Sequence, residues 1–229
     1  MTVIVTGASR GIGRSIADRL YSLGHDIIGV ALKKERESDY VFPPYRIEQC
    51  DVSKIESVKL LYEKIKDKDI TGLVNCAGIM EPLPFALQPY EKYEKIIRTN
   101  LIGTINTCSV FLDLMNKDIH TPIINMSSIA AHIPNSNTAY TASKSGIEGF
   151  TSSLAKDLYK TKIRPNAICP GLVRTDMSES VFVTSPHLQY YIATQPIGIE
   201  VSTSDIADVV ELLFDPKSNC IGGQSIQIG

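Results

Sequence analysis

Tyr140 and Lys144 stand four residues apart in the run Tyr140-Thr141-Ala142-Ser143-Lys144. On a helix that spacing puts both side chains on one face. A free phenol ionises near a pH of about 10, too high for proton transfer at neutral pH, and a neighbouring ammonium favours the phenolate and lowers that value. The pair is therefore suited to serve as a proton donor with its activator. The same spacing also occurs on ordinary exposed helix faces. It gains meaning here from Ser127 and Ser128, which follow directly on the apolar run at 122–126, at the end of a strand where a hydroxyl could bind the oxygen that takes the proton.

A second group of residues lies near the N-terminus, in Thr6-Gly7-Ala8-Ser9-Arg10-Gly11-Ile12-Gly13. Gly7 permits a tight turn, Gly11 lets the backbone approach a pyrophosphate, and Gly13 allows close packing of helix on strand. Free N–H groups at the start of the following helix, together with its dipole, favour an anion. The turn lies between a strand and a helix, as a dinucleotide site requires. An NAD site calls for an acidic residue about 20 positions past the turn to hold the ribose 2′-hydroxyl. Position 31 is Ala31, followed by Leu32, Lys33 and Lys34, and Arg10 lies within the turn itself. A missing carboxylate among nearby cations suits a 2′-phosphate, so NADPH is the expected cofactor, with NAD as the alternative.

The elements that must position these groups follow an alternating pattern. Short apolar runs at 2–6, 26–32, 46–50, 72–76, 122–126, 163–169 and 224–228 read as strands. Helical periodicity covers 14–23, a segment carrying Val58, Leu61, Tyr62 and Ile65, a long helix at 90–115, and helices at 139–159 and 204–214. Ser53 and Glu56 have the spacing of a capping box for the second helix. The stretch from 33 to 45, with its mixed charges and Pro43-Pro44, reads as an irregular surface loop. Apolar strands alternating with helices predict a single α/β domain over residues 1–229. Its seven-stranded parallel sheet is doubly wound and flanked by helices on both faces, with its ligand outside the carboxyl ends of the strands.

Composition narrows the function. The 229 residues are 43% hydrophobic and carry a net charge of −2, which excludes a disordered chain and argues against a nucleic-acid partner. No apolar run is long enough to cross a membrane. The sequence starts almost directly on a strand, without a charged segment and an apolar stretch ahead of it, so a cytoplasmic protein is expected. Cys50, Cys76, Cys108, Cys169 and Cys220 form no CxxC pair, so sequence spacing indicates neither a metal site nor a disulfide framework.

Taken in order, the glycine turn, Asn75-Cys76-Ala77-Gly78, Asn100, Ser128, the Tyr140/Lys144 pair and Pro170-Gly171 show that the chain resembles the short-chain dehydrogenase/reductase family along nearly its whole length, in the branch of the 3-oxoacyl-carrier-protein reductases. The resemblance implies that Tyr140 protonates the carbonyl oxygen during reduction. Lys144 would lower the phenol's pKa and bind the nicotinamide ribose, Ser128 would hydrogen-bond the substrate oxygen, and Asn100 would hold a water linking Lys144 to solvent. It further implies that Gly7, Ser9, Arg10, Gly11, Ile12 and Gly13 line the cofactor's phosphates, with Ala31, Leu32 and Lys33 near its adenosine end. Asp51 and Val52 would meet the adenine, and Asn75, Ala77 and Gly78 would support the adenosine ribose and the sheet centre. Pro170, Gly171, Val173 and Thr175 would hold the carboxamide. A homodimer or homotetramer is implied as well. The chain departs from the family's pattern in having Cys76 as the second residue of Asn-Asn-Ala-Gly. Ser128 also stands 12 residues before Tyr140 where many relatives have 13.

Substrate contacts are expected from 129–137, which holds His132, and from a lid at 177–198 with Phe182, Tyr190 and Tyr191, while His187 reads as a solvent-exposed loop histidine. His25 and His120 read as surface residues in turns. These features point to NADPH-dependent reduction of a small ketone or aldehyde. An NAD-dependent dehydrogenase of secondary alcohols such as sugars or steroids is the enzymatic alternative. A non-catalytic dinucleotide sensor would be marked by a damaged Ser/Tyr/Lys set, and that set is intact.

Overall fold

Val3 and Val5 of the first strand face one side of a sheet and Ile4 the other, as strand geometry dictates, and each side meets its own apolar layer. The computed structural model describes residues 1–33, 43–81, 83–133, 137–179, 182, 192 and 197–229. Most of the expected loop at 33–45 lies outside them. So does most of the expected lid, including His187, Tyr190 and Tyr191.

Seven strands form one sheet: β1 (Thr2–Thr6), β2 (Asp26–Ala31), β3 (Arg46–Gln49), β4 (Ile70–Asn75), β5 (Thr121–Met126), β6 (Ile163–Pro170) and β7 (Ser225–Ile228). Their order is β3-β2-β1-β4-β5-β6-β7, and every pairing is parallel. Among the described residues the α-helices are α1 (Gly11–Ser22), α2 (Ile55–Ile65), α3 (Tyr90–Ile97), α4 (Gly103–Phe111), α5 (Thr138–Asp157) and α6 (Thr203–Phe214). Central strands β1, β4 and β5 are buried at every residue, while β3 and β7 are partly exposed edges. This is the doubly wound Rossmann-type domain expected from the alternation of elements. Among the described residues no helix is long and apolar enough to cross a membrane.

Two layers of side chains close the core. Ile16 and Leu20 of α1 and Val210 and Leu213 of α6 pack against Val3, Val5, Ile124 and Ile168. On the other face Val58, Leu61 and Ile65 of α2 and Phe111 of α4 pack against Ile4, Leu73 and Ile123. The strand order reverses between β1 and β4, which opens a crevice outside their carboxyl ends. Register sets what meets there: Thr6 pairs with Asn75, Asn75 with Asn125, and Met126 with Ile168.

Several expectations are corrected. The helix expected over 90–115 is broken, with a π-helical turn at Arg98–Ile102 separating α3 from α4 and a 3₁₀ turn at Leu112–Leu114 following. The wider turn carries Asn100, whose side chain is drawn into the interior by hydrogen bonds that a straight helix does not require. The Ser53/Glu56 capping box does not form. Ser53 bonds back to Asp51 through both its backbone N–H and its hydroxyl, and Lys54 becomes the N-cap. A capping box closes instead on α6, between Ser202 and Asp205. His25 and His120 are half-buried rather than on the surface. The ring of His25 packs edge-on to Phe214, and His120 Nε2 lies 2.9 Å from the Leu213 carbonyl.

Phe111 is fully buried and Leu60 is 68% exposed. Phe111→Ala is expected to lower the unfolding free energy by about 3–5 kcal/mol, whereas Leu60→Ala stays within about 0.5 kcal/mol of the parent. Urea titration of the two variants checks both values.

Candidate active site

Four elements carry the residues that could do chemistry, and all reach the carboxyl edge of the sheet. Helix α5 brings Tyr140 and Lys144 one turn apart, with Lys144 Nζ 5.5 Å from the centre of the Tyr140 ring. Lys144 is only 5% exposed, and its Nζ donates to the Met126 carbonyl at 2.6 Å. Burial pushes its pKa down to about 8, against a small opposing effect of the Cys76 and Cys169 thiols. The residue before it, Ser143, is fully buried; it donates to the Tyr140 carbonyl at 2.7 Å and accepts from Asn100 at 3.1 Å.

Asn100 has no exposed surface. Its Nδ2 donates to the Ile79 carbonyl at 3.0 Å as well as to Ser143, and its Oδ1 accepts from the Ile79 N–H at 2.8 Å. The amide therefore pins the segment following Gly78 against α5. Gly78 itself lies against Asn100 and Lys144, close enough that an added Cβ would stand 3.4 Å from Asn100 Oδ1 and 3.7 Å from Lys144 Nζ.

The two serines after β5 separate clearly. Ser127 is 2% exposed, and its hydroxyl faces inward, toward the Lys144 carbonyl at 3.1 Å and Glu148 at 2.8 Å. Ser128 is half-exposed and caps the 3₁₀ turn Ile129–Ala131 by accepting from the Ala130 N–H at 3.2 Å. Of the pair, Ser128 is the less buried residue. His132, in the segment expected to line the substrate pocket, turns its ring to Glu148 at 3.1 Å.

The glycine turn has the shape its sequence implies. Gly7 and Gly11 adopt positive φ values of 70° and 57°, where a side chain is strained. A Cβ on Gly7 would come within 2.9 Å of the Ala77 nitrogen, and one on Gly13 would collide with the Gly7 carbonyl. Thr6 Oγ1 accepts from the N–H groups of Cys76 and Ala77, both at 3.1 Å, which locks the ends of β1 and β4 together. Helix α1 begins without a side-chain cap and without an acidic residue in its first turn. Its leading N–H groups, flanked by half-exposed Ser9 and Ile12, form a cradle suited to a dinucleotide's pyrophosphate.

Around this cradle the remaining residues fall into place. Ala31 is buried at the end of β2, and Leu32 and Lys33 beyond it are exposed, so among the described residues no carboxylate follows directly on that strand end. Arg10 is exposed and pairs with Asp176 at 3.3 Å. That pair, together with the 3.5 Å approach of Thr175 to a Cβ on Gly11, brings the segment after β6 over the turn. Pro170 ends β6, the Gly171 N–H donates to Ile228, and Val173 is buried against Val201. Asp51 holds its own turn through Ser53 and Lys54, and buried Val52 packs on Gly103.

Asn75 faces away from the cradle. It accepts from Thr107 at 2.6 Å and donates to Asn125 at 2.8 Å, and Asn125 in turn donates to Thr151 at 2.9 Å. This buried chain ties α4, β4, β5 and α5 together, so the Asn75 side chain supports the sheet centre. Ser143, Thr6, Asn125 and Glu148 were not singled out from the sequence. Each is a common residue type whose importance comes from its partners, and no local pattern marks it.

Comparison with known proteins agrees with this geometry. The short chain dehydrogenase family model matches residues 1–185. A 3-oxoacyl-[acyl-carrier-protein] reductase of Haemophilus influenzae is 33% identical over 98% of this chain and 95% of its own length. Among solved structures, the aldohexose dehydrogenase of Thermoplasma acidophilum superposes with a TM-score of 0.87 at 27% identity, covering 99% of this chain and 91% of that one. An actinorhodin polyketide ketoreductase variant determined with NADPH gives 0.85 at 26% identity, covering 99% and 95%. With its fold, its glycine turn and its Tyr/Lys helix matched over nearly the full length, the chain belongs to the short-chain dehydrogenase family of NAD(P)(H)-dependent oxidoreductases.

Proposed function

We propose that this enzyme reduces a ketone or aldehyde carbonyl to an alcohol with NADPH, using Tyr140 as proton donor. The observation that carries the reading is the placement of buried Lys144, with its Nζ 5.5 Å from the Tyr140 ring and the accessible Ser128 at the same sheet edge. In the glycine cradle, a reduced nicotinamide coenzyme supplies the hydride. The chain's own residues do the rest. Ser128 donates to the substrate oxygen and steadies its developing charge. Tyr140 delivers the proton, and Lys144 holds the phenol's proton affinity down through its charge. Asn100 fixes the geometry behind Lys144 and links it toward solvent through water.

NADPH is favoured over NADH by the lack of a carboxylate at Ala31 and by Arg10 on the turn. The NADPH-bound ketoreductase and the 3-oxoacyl reductases support the reductive direction. A second reading, an NAD-linked dehydrogenase of secondary alcohols, is favoured by the likeness to an aldohexose dehydrogenase and by the pairing of Arg10 with Asp176. We propose a single functional unit over residues 1–229, a lid within 177–198, a cytoplasmic location and a homo-oligomer.

Tyr140→Phe is expected to lower kcat for NADPH-dependent ketone reduction by at least about 10²-fold, the range of a lost general acid, with NADPH affinity nearly unchanged. Stopped-flow turnover and nicotinamide fluorescence titration measure the two quantities, and surviving activity overturns the proton-donor assignment. Ala31→Asp is expected to move preference from NADPH toward NADH, because a carboxylate repels the 2′-phosphate and accepts from the 2′-hydroxyl. An unchanged ratio of kcat/KM for the two coenzymes would count against the cofactor reading.

The Tyr140/Lys144 pair also sets a pH dependence. Reduction needs the phenol protonated, so kcat/KM falls as pH rises through the pair's apparent pKa, while alcohol oxidation rises over the same window. Lys144→Met removes the charge that favours phenolate, and the inflection is expected to move up toward the free-phenol value of about 10. Paired pH profiles of the parent and the variant test this.

A further inference from the structure

Beside the catalytic set, Glu148 gathers side chains from three elements onto one oxygen. It lies on α5 one turn beyond Lys144, with a side chain 15% exposed. Its Oε1 is 3.1 Å from His132 Nε2 in the segment after β5, 3.3 Å from Cys169 Sγ on β6, and 2.8 Å from Ser127 Oγ. Three hydrogen-bearing atoms thus converge on an oxygen that offers about two lone-pair directions. The imidazole, the carboxylate and the thiol all lie within 4.8 Å of one another.

We propose that His132, Glu148 and Cys169 form a binding site for a thiophilic divalent cation of the zinc class. A tetrahedral zinc with bonds of about 2.0–2.3 Å holds its donors about 3.3–3.8 Å apart; the two separations from Glu148 Oε1, 3.1 Å to His132 Nε2 and 3.3 Å to Cys169 Sγ, lie close to those edges, and all three donors fall within 4.8 Å of one another. One nitrogen, one carboxylate oxygen and one sulfur suit zinc or cobalt rather than magnesium or calcium, which prefer all-oxygen shells. The donors come from a helix, a strand and a short turn that the sheet already fixes, so the site needs little rearrangement. A cation there replaces the imidazole and thiol hydrogens crowding Oε1, and the thiol proton leaves to solvent on binding. Ser127 remains as a hydrogen-bond partner of the bound carboxylate, the usual outer-shell arrangement. His132, about one-third exposed, leaves the fourth position open to water. The site stands apart from the proposed proton-transfer groups and does not depend on the reaction assigned to them. Its effect would be to fasten the turn bearing Ser128 to the helix bearing Tyr140 and Lys144.

The test uses the full chain, stripped with a chelator and dialysed. Cobalt(II) titration is expected to give one equivalent of tight binding with a thiolate-to-cobalt charge-transfer band, and zinc should displace it. Cys169→Ser should abolish the band, and His132→Ala should weaken cobalt binding by about 100-fold or more. Cys220→Ser removes the one exposed thiol and should leave the titration unchanged. Circular dichroism confirms that each variant is folded. If Cys169→Ser fails to fold, the half-exposed His132→Ala and the Cys220→Ser control still decide the matter. No band in the parent protein, a band lost with Cys220, or cobalt binding indifferent to His132→Ala would each overturn the proposal.

Discussion

Lys144 carries a cation into the interior, where its Nζ meets the Met126 carbonyl beside the thiol-bearing ends of β4 and β6. Taking such a group out of water costs several kcal/mol unless fixed dipoles replace its hydration. Its low proton affinity, near a pKa of about 8, records that cost. The surrounding architecture can be understood as the means of holding it there. Helix α5 is fixed to β5 through Ser127 on the Lys144 carbonyl and through Asn125 on Thr151. It is fixed to the π-helical turn through Ser143 and Asn100. A flexible ammonium gains a defined position because the polar groups around it are themselves buried and paired.

The same economy of partners shapes the cradle. Thr6 at the end of β1 spends its hydroxyl oxygen on two N–H groups after β4, and that contact brings Ala77 so close to Gly7 that no side chain fits there. The glycine turn and the Asn75–Gly78 stretch therefore constrain each other. Below them the chain of Thr107, Asn75, Asn125 and Thr151 crosses the sheet without reaching solvent. Buried polar networks of this kind are costly when incomplete and rigid when satisfied.

Membership of the family agrees with these features, and further residues shape the surroundings of the reacting groups. Cys76 in the stretch after β4 keeps its sulfur near Lys144, and its own pKa is pushed up to about 11 by burial. Glu148 gives α5 a carboxylate that meets Ser127 and His132 after β5 and Cys169 on β6. Arg10 and Asp176 face each other across the cofactor groove. Each alters the surroundings of the reacting groups without changing the groups themselves.

Much of this was legible in the sequence. Strand runs of period 2, helical periodicity and the glycines of the turn are local signals, because they report how a residue's own neighbours pack or how its own backbone bends. They determined the seven strands, the parallel doubly wound sheet, and the places of Tyr140, Lys144 and Gly7. Tertiary structure alone decided what depends on partners distant in the chain. The break of the 90–115 helix follows from Asn100 reaching Ile79 and Ser143. The burial of Ser127 follows from its hydroxyl meeting Glu148 and the Lys144 carbonyl. Asp51 overrode the capping box predicted from Ser53, a competition between two acceptors that spacing does not rank. Nor does spacing bring His132, Glu148 and Cys169 together, since they come from separate elements and meet only where the ends of β5 and β6 pass under α5.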